Sequence, residues 1–335
     1  YIGAYGSRAA NFITAKCDLL LVLGSRLDVR QTGRDRAGFA PGADIIRFDI
    51  DRKELEYPVR SGEAGIQADA GDVLAYLMKS YRQDGHRHAD WKRVCDAVAK
   101  KLDGLDAGAC NAFVENISMH VPENTVIAAH LGQNQVWAAQ SWRVNAGQRI
   151  LFSGGHGAMG YSLPAAIGAY YTQKRPVVSI SGDGGMQMNL QELAFVRRER
   201  LPIKIFVLNN GALGMIRHFQ EMYFAGNETQ TVPGKGYEAP DFERIAKAYD
   251  MPYVRYEAPE DVSGGFMRME GPVFTEIRLS GNTYVYPKLE YGKAVQDQEP
   301  LLDRRLYEYL MKLDIKNEKE EIRRGGYLLL FRITF

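Results

Sequence analysis

The chain has 335 residues, of which 45% are apolar and 25% charged, with 42 basic against 41 acidic side chains and a net charge of +1. That balance fits a globular protein of about two domains and excludes a basic nucleic-acid surface or a charge-dominated disordered chain. No apolar run reaches the roughly 20 residues of a membrane span, and Cys17, Cys95 and Cys110 form neither a metal-type spacing nor a disulfide framework, which fits a reducing, cytoplasmic setting.

In chain order, 19–24 is a short continuous apolar run, as expected for a strand covered on both faces, and 45–51 is a second strand. A helix is predicted over 72–81 from the spacing of Val73, Leu74, Leu77 and Met78. Residues 1–82 are thus expected to form a partial α/β domain, and the opening at Tyr1 reads as the middle of a larger protein. Residues 83–104 read as a polar linker with a helix from Trp91. His86 and His88 belong to that linker, without the further ligands that a metal site needs.

A second α/β domain is expected over 105–300. Its predicted strands are 126–129, 149–153, 177–181, 203–209, 253–256 and 273–279; helices are predicted at 134–140, 162–171, 190–198, 213–224 and 241–249. Strands alternating with helices argue for a doubly wound parallel sheet, so the fold class is α/β with two such domains. After Glu260 the segment is too short and too glycine-rich for a full helix. The remainder, 301–335, reads as a tail: charged from Lys316, then apolar over 327–335, too short to cross a bilayer and without a functional reading.

The chemistry concentrates at strand ends. The apolar run at 177–181 leads into Gly182-Asp183-Gly184-Gly185, a helical segment follows, and the apolar run at 203–208 closes on Asn209-Asn210. In a parallel sheet, Asp183 and Asn210 then sit at the carboxyl ends of two strands, facing one crevice. One hard oxygen ligand from each, beside glycines that let a phosphate approach, is what a Mg²⁺-diphosphate site needs. A G-D-G sequence taken alone is also a common turn, and the order strand, G-D-G, helix, strand, N-N is what separates the two readings. A glycine-rich loop runs from Ser153 through His156, Gly157 and Met159 to Gly160, with Pro164 in the first turn of the following helix. Taken alone, Met159 there reads as core filler. Gln133 and Asn134 follow another strand at a helix start, where Asn134, taken alone, reads as a cap.

These motifs resemble the thiamine diphosphate signature, and the run from Gly182 to Leu193 is similar to the acetolactate synthase (acetohydroxyacid synthase) branch of that family. The resemblance covers most of residues 1–310 and the carboxyl-terminal part of a full enzyme. It implies thiamine diphosphate and Mg²⁺ as cofactors. Asp183, Asn210 and the Ala212 carbonyl would be the metal ligands, and Gly182, Gly184, Gly185, Gln133 and Asn134 would meet the diphosphate. Gly157 and Met159 would hold and bend the aminopyrimidine, Met215 would line the cofactor, and Phe219 would stand in the substrate channel. In the first domain, Gly24 to Gly33 and the Asp49-Ile50-Asp51 run resemble the family's FAD-binding stretches, with Arg26 toward the diphosphate and Asp49 toward a ribose hydroxyl. Relatives keep this domain with another nucleotide or none, so FAD occupancy stays open, and Asp49 and Asp51 read equally as polar strand-end residues.

The implied activity is decarboxylation of a 2-keto acid such as pyruvate and transfer of the two-carbon unit to a second carbonyl. The alternatives are transfer to a keto-sugar nucleotide, to which Phe219 in place of a common Trp leans, simple 2-keto acid decarboxylation, and a non-enzymatic truncated cofactor-binding fragment. The glutamate that starts the family's cycle comes from an amino-terminal domain of a neighbouring subunit, and no Glu here matches it. The expectation is therefore no catalytic residue in this chain and an active site completed at a subunit interface of a homo-oligomer, with no nucleic-acid or membrane partner.

Overall fold

The computed structural model describes residues 1–80, 88–102, 104–105, 108–313 and 328–330. His86 and most of the predicted tail lie outside the described residues. The chain divides into two compact units, Tyr1–Asp106 with Tyr286–Thr334, and Ala107–Val285. Both are built on parallel sheets, as the alternation of strands and helices requires.

In the first unit, β1 (Leu19–Leu23), β2 (Asp44–Asp49) and β3 (Ala64–Gln67) pair in parallel, and Leu328–Leu330 adds to the free side of β1. The helix Arg8–Lys16, capped by the Ser7 side chain, buries Phe12 in the core beside Leu20, Val22 and Ile45. The stretch expected to be a linker, 83–104, carries the helix Ala89–Leu102, which buries Trp91, Val94, Val98 and Leu102 in that same core. These positions follow a 3.6-residue period and make one apolar stripe, so the helix expected from Trp91 belongs to the core of this unit and not to a solvated linker. The unit also reclaims the chain from Tyr286 onward, ahead of the boundary at 300 that the sequence suggested. Asn11 donates to the Gly3 and Val295 carbonyls, each at 2.9 Å, and Arg8 donates to the Gln298 carbonyl at 2.9 Å, so buried polar groups staple 295–300 to the first helix. A helix over Arg304–Lys312, capped by Asp303, adds Leu310 to the core. One ion pair is fully buried here: Arg47 and Glu63 meet at 2.7 Å with side chains 1% exposed.

The second unit has six parallel strands: β4 (Val126–Ala129), β5 (Arg149–Phe152), β6 (Val177–Gly182), β7 (Ile203–Asn209), β8 (Tyr253–Tyr256) and β9 (Val273–Arg278). Their order across the sheet is β5-β4-β6-β7-β9-β8. Strands β4, β6 and β7 are buried nearly end to end, which explains their unbroken apolar runs. Between β8 and β9 the expected gap in helix appears as a short 3₁₀ turn, Pro259–Asp261, and a single helical turn, Gly265–Arg268. The strand order carries the main consequence for function. From β4 the chain moves outward to β5 and then returns to the other side of β4 as β6. The direction of winding reverses between β4 and β6, and ligands bind in such sheets in the crevice that opens at this reversal.

Candidate functional site

A cleft opens where that rule puts it. Its walls come from three strand ends: His130 to Asn134 after β4, Gly182 to Gly185 after β6, and Asn210 to Ile216 after β7, with Trp137 and Met159 completing the lining. Each wall follows an apolar strand that stops abruptly at glycine or a polar residue.

Asp183 lies at the floor, 2% exposed. Its Oδ1 accepts from the Gly184 N–H at 2.6 Å and from the Tyr237 hydroxyl at 3.0 Å, and its Oδ2 accepts from the Ala212 N–H at 3.2 Å. The loop after β7 is thereby folded onto the carboxylate that ends β6. Burial pushes the Asp183 carboxyl up to about 6, against the hydrogen bonds that favour its charged form. Asn210, 6% exposed, donates through Nδ2 to Gln133 Oε1 at 2.9 Å, and Gln133 Nε2 reaches the Thr283 carbonyl at 3.3 Å. Asn134 donates to the Leu131 carbonyl at 2.8 Å, while its own buried Oδ1 has no hydrogen-bond partner.

Among the site residues expected from the sequence, Gln133, Asn134, Met159, Gly182, Asp183, Gly184, Gly185, Asn210, Ala212 and Met215 all line this cleft. Gly157 sits on the adjoining loop with φ +67, and Phe219 stands outside the lining, about half exposed against Tyr223. The helix expected after Gly185 begins at Asp183 and lasts one turn, Asp183–Gln187, so the Gly184 N–H that the sequence offered to a phosphate is spent on the Asp183 carboxylate. In the first unit, Arg26 and Asp49 do lie at the ends of neighbouring strands, Arg26 past β1 and Asp49 closing β2, but Arg26 is exposed and paired with Glu54 at 3.3 Å. Asp49 is buried and caps its own loop by accepting from the Asp51 N–H at 2.9 Å.

Three side chains supporting the cleft escape a sequence reading. Tyr237 holds Asp183 and accepts from Gln187 Nε2 at 3.2 Å; burial beside the carboxylate raises its pKa, which keeps it a donor. Glu276 on β9 accepts from Asn209 Nδ2 at 2.6 Å, and Asn209 Oδ1 accepts from the Gly211 N–H at 3.0 Å, which shapes the turn carrying Asn210 and Ala212. His130 ends β4 and joins two walls of the cleft. Only its place directly after an apolar strand marked it in the sequence.

The donor set fits a hard divalent cation. It offers a buried carboxylate and an amide at one crevice, a partial set that Mg²⁺ would complete with water and phosphate oxygens. Among the described residues no cluster of three His, Cys, Asp or Glu could hold a metal by itself, so a cation here depends on its ligand for the remaining oxygens. The partnerless Asn134 oxygen adds an unmet polar group on the same wall.

Two family models match this chain. The central domain of thiamine pyrophosphate enzymes matches residues 1–77, and their carboxyl-terminal thiamine pyrophosphate-binding domain matches residues 130–277. The acetolactate synthase isozyme 1 large subunit of Escherichia coli (strain K12) is 33% identical over 303 residues, covering 88% of this chain and 52% of that protein. The isozyme 2 large subunit of the same organism is 33% identical over 302 residues, 88% of this chain and 53% of its own length. Acetolactate synthase 1, chloroplastic, of Zea mays is 33% identical over 313 residues, 88% of this chain and 49% of its own. The chain spans about half the length of these curated relatives. Among the described residues, no helix is long and apolar enough to cross a membrane.

Proposed function

Since the chain belongs to the thiamine pyrophosphate enzyme family, we propose that it carries the diphosphate- and magnesium-binding part of a carboligase of acetolactate synthase type. Its substrate would be a 2-keto acid such as pyruvate. When bound, thiamine diphosphate supplies the electron sink that lets such an acid lose carbon dioxide. The residues of this chain bind and orient. Asp183, Asn210 and the Ala212 carbonyl hold Mg²⁺. Gln133, Asn134 and Gly182 to Gly185 line the diphosphate, with Met159 and Met215 against the rest of the cofactor. The carboxylic acid that moves the first proton is expected from another segment or another chain, which makes the working site an interface. FAD in the first unit is an optional part of this reading, resting on Arg26 and Asp49.

The observation that supports the proposal most is the closure of the Asn210–Ala212 loop onto Asp183 at the reversal of the sheet, with the Ala212 N–H 3.2 Å from Asp183 Oδ2. A thermal melt with thiamine diphosphate, with and without Mg²⁺, tests it. Saturable stabilisation that needs both is the expected result, because a ligand that binds only the folded state raises stability by mass action. A melt indifferent to the pair overturns the proposal. Pyruvate consumption and product analysis then separate a second 2-keto acid from a keto-sugar as acceptor. Phe219, outside the cleft lining, does not decide between them.

A further inference from the structure

The loop that bears Gly157 and Met159 has few anchors. Gly154, Gly155, His156, Ala158 and Met159 are exposed, and Gly157 takes a positive φ. At its near end the Ala158 N–H donates to Ser153 Oγ at 2.9 Å. At its far end the Gly160 N–H donates to His130 Nε2 at 2.5 Å. On the other side of the same ring, His130 Nδ1 lies 2.9 Å from the Leu131 carbonyl oxygen.

These two neighbours fix the state of the imidazole. A carbonyl oxygen can only accept, so Nδ1 carries the proton; a backbone N–H can only donate, so Nε2 does not. An imidazolium would set an Nε2–H against the Gly160 N–H. Burial acts in the same direction by lowering the pKa of His130, with the Leu131 carbonyl opposing it. The ring is also wedged. A Cβ on Gly185 would meet His130 Cε1 and Nδ1 at 2.6 Å, so the ring lies over the bare backbone of the helical turn that begins at Asp183. A Cβ on Gly160 would collide with Asn189 Oδ1, so the loop end is held from that side too. His130 therefore touches the end of β4, the turn after Asp183 and the last residue of the Met159 loop at once.

We propose that His130 is a positioning residue: as the neutral Nδ1–H tautomer it sets the height of the Gly157–Met159 loop above the Asp183 floor, and so the fit of the aminopyrimidine end of the cofactor. The inference rests on the cofactor reading above and deepens it.

The test uses the 335-residue chain and two ligands, thiamine diphosphate and inorganic diphosphate, each with Mg²⁺, titrated by calorimetry. In His130→Asn the amide reaches Leu131 and falls short of Gly160; in His130→Gln it reaches Gly160 and restores an acceptor there. Losing a buried hydrogen-bond partner is expected to weaken thiamine diphosphate binding about tenfold in His130→Asn, with most of the loss recovered in His130→Gln. Inorganic diphosphate should bind all three proteins alike, which also reports that the floor is folded. Equal thiamine diphosphate affinities in the three proteins, or a loss shared by both ligands, overturn the positioning role alone. A wild-type chain that binds neither ligand overturns the cofactor reading and this inference with it. On the wild-type protein, ¹⁵N spectra should show a pyrrole-type Nδ1 and a pyridine-type Nε2; the opposite tautomer refutes the assignment without any variant.

Discussion

Two pairs of polar residues occupy equivalent places in the two units. Arg26 follows β1 and Asp49 is the last residue of β2; Asp183 and Asn210 follow β6 and β7. Each pair stands at the carboxyl ends of two neighbouring parallel strands. Asp183 and Asn210 are buried on the walls of one cleft, and backbone from the next loop folds onto Asp183. Arg26 is open to solvent on Glu54, and Asp49 is turned back into its own loop. A polar residue at a strand tip is thus only half of a site. The other half is a reversal of strand order that leaves a crevice, and glycines such as Gly184 and Gly185 that let other chains press in: a Cβ at Gly184 would strike Leu213, and one at Gly185 would strike His130.

Two buried cations, one in each unit, also differ in their partners. Arg47 in β2 has a carboxylate partner, Glu63, and further donates to the carbonyls of Arg26, Glu54 and Tyr57. Lys204 in β7 has only carbonyls, those of Met269 at 2.6 Å and Gly271 at 2.9 Å, and among the described residues no carboxylate. The largest expected effect follows from the first arrangement. Glu63→Ala strands a buried guanidinium and is expected to cost about 3–5 kcal/mol in urea unfolding. Because Glu63 belongs to the first unit and the cleft to the second, Mg²⁺-thiamine diphosphate affinity of the folded protein is expected to stay unchanged. A parallel loss of affinity would break the comparison.

Next in size is Asp183→Asn. It removes the charged member of the metal set and is expected to weaken Mg²⁺-dependent thiamine diphosphate binding by about 100-fold or more, worth roughly 2.7 kcal/mol of ligand-induced stabilisation. Without ligand, stability should change little. The amide loses the acceptor facing the Ala212 N–H, but it also sheds a charge that burial makes costly, as the carboxyl raised to about 6 shows. Melts with and without the cofactor pair separate the two effects, and an unchanged ligand response would remove Asp183 from the site.

How much of this was legible from residues alone follows from the range of each signal. Strands β4 and β7 start and stop at the expected positions, because fully covered parallel strands need largely apolar sequence and glycine or polar residues end them. The polar tips Asp183 and Asn210 were legible for the same local reason. Tyr237 was not: it meets Asp183 from 54 positions away, out of a loop with no periodicity. His130 meets Gly160 across 30 positions, and nothing near either residue announces the other. The unit boundary failed similarly. The contacts that return 295–300 to the first helix are backbone carbonyls accepting from Arg8 and Asn11, and carbonyls carry no sequence signature. Phe219 illustrates the limit of position within a motif: four residues beyond Met215 it lies one turn further along the helix Gly214–Tyr223, past the cleft that Met215 lines.

The smallest effect, and the one that sharpens the contrast between the two buried cations, concerns Lys204. Burial pulls its pKa down from 10.5 to about 8. The folded protein therefore releases this proton near pH 8, whereas the unfolded chain holds it to near 10.5. Between those values the unfolded state binds more protons, so the contribution of Lys204 to stability rises with pH across that window. Below it the ammonium is charged in both states and its burial counts against folding. Lys204→Met removes the titration and leaves the Met269 and Gly271 carbonyls without a donor, two changes of opposite sign and of about 1–3 kcal/mol each. Near neutral pH they should nearly cancel. As pH is raised through about 8, urea unfolding should show wild type gaining on Lys204→Met. A difference that stays flat with pH would mean that the ammonium is hydrated in the folded strand, and that Lys204 is not an unpaired counterpart of the buried Arg47.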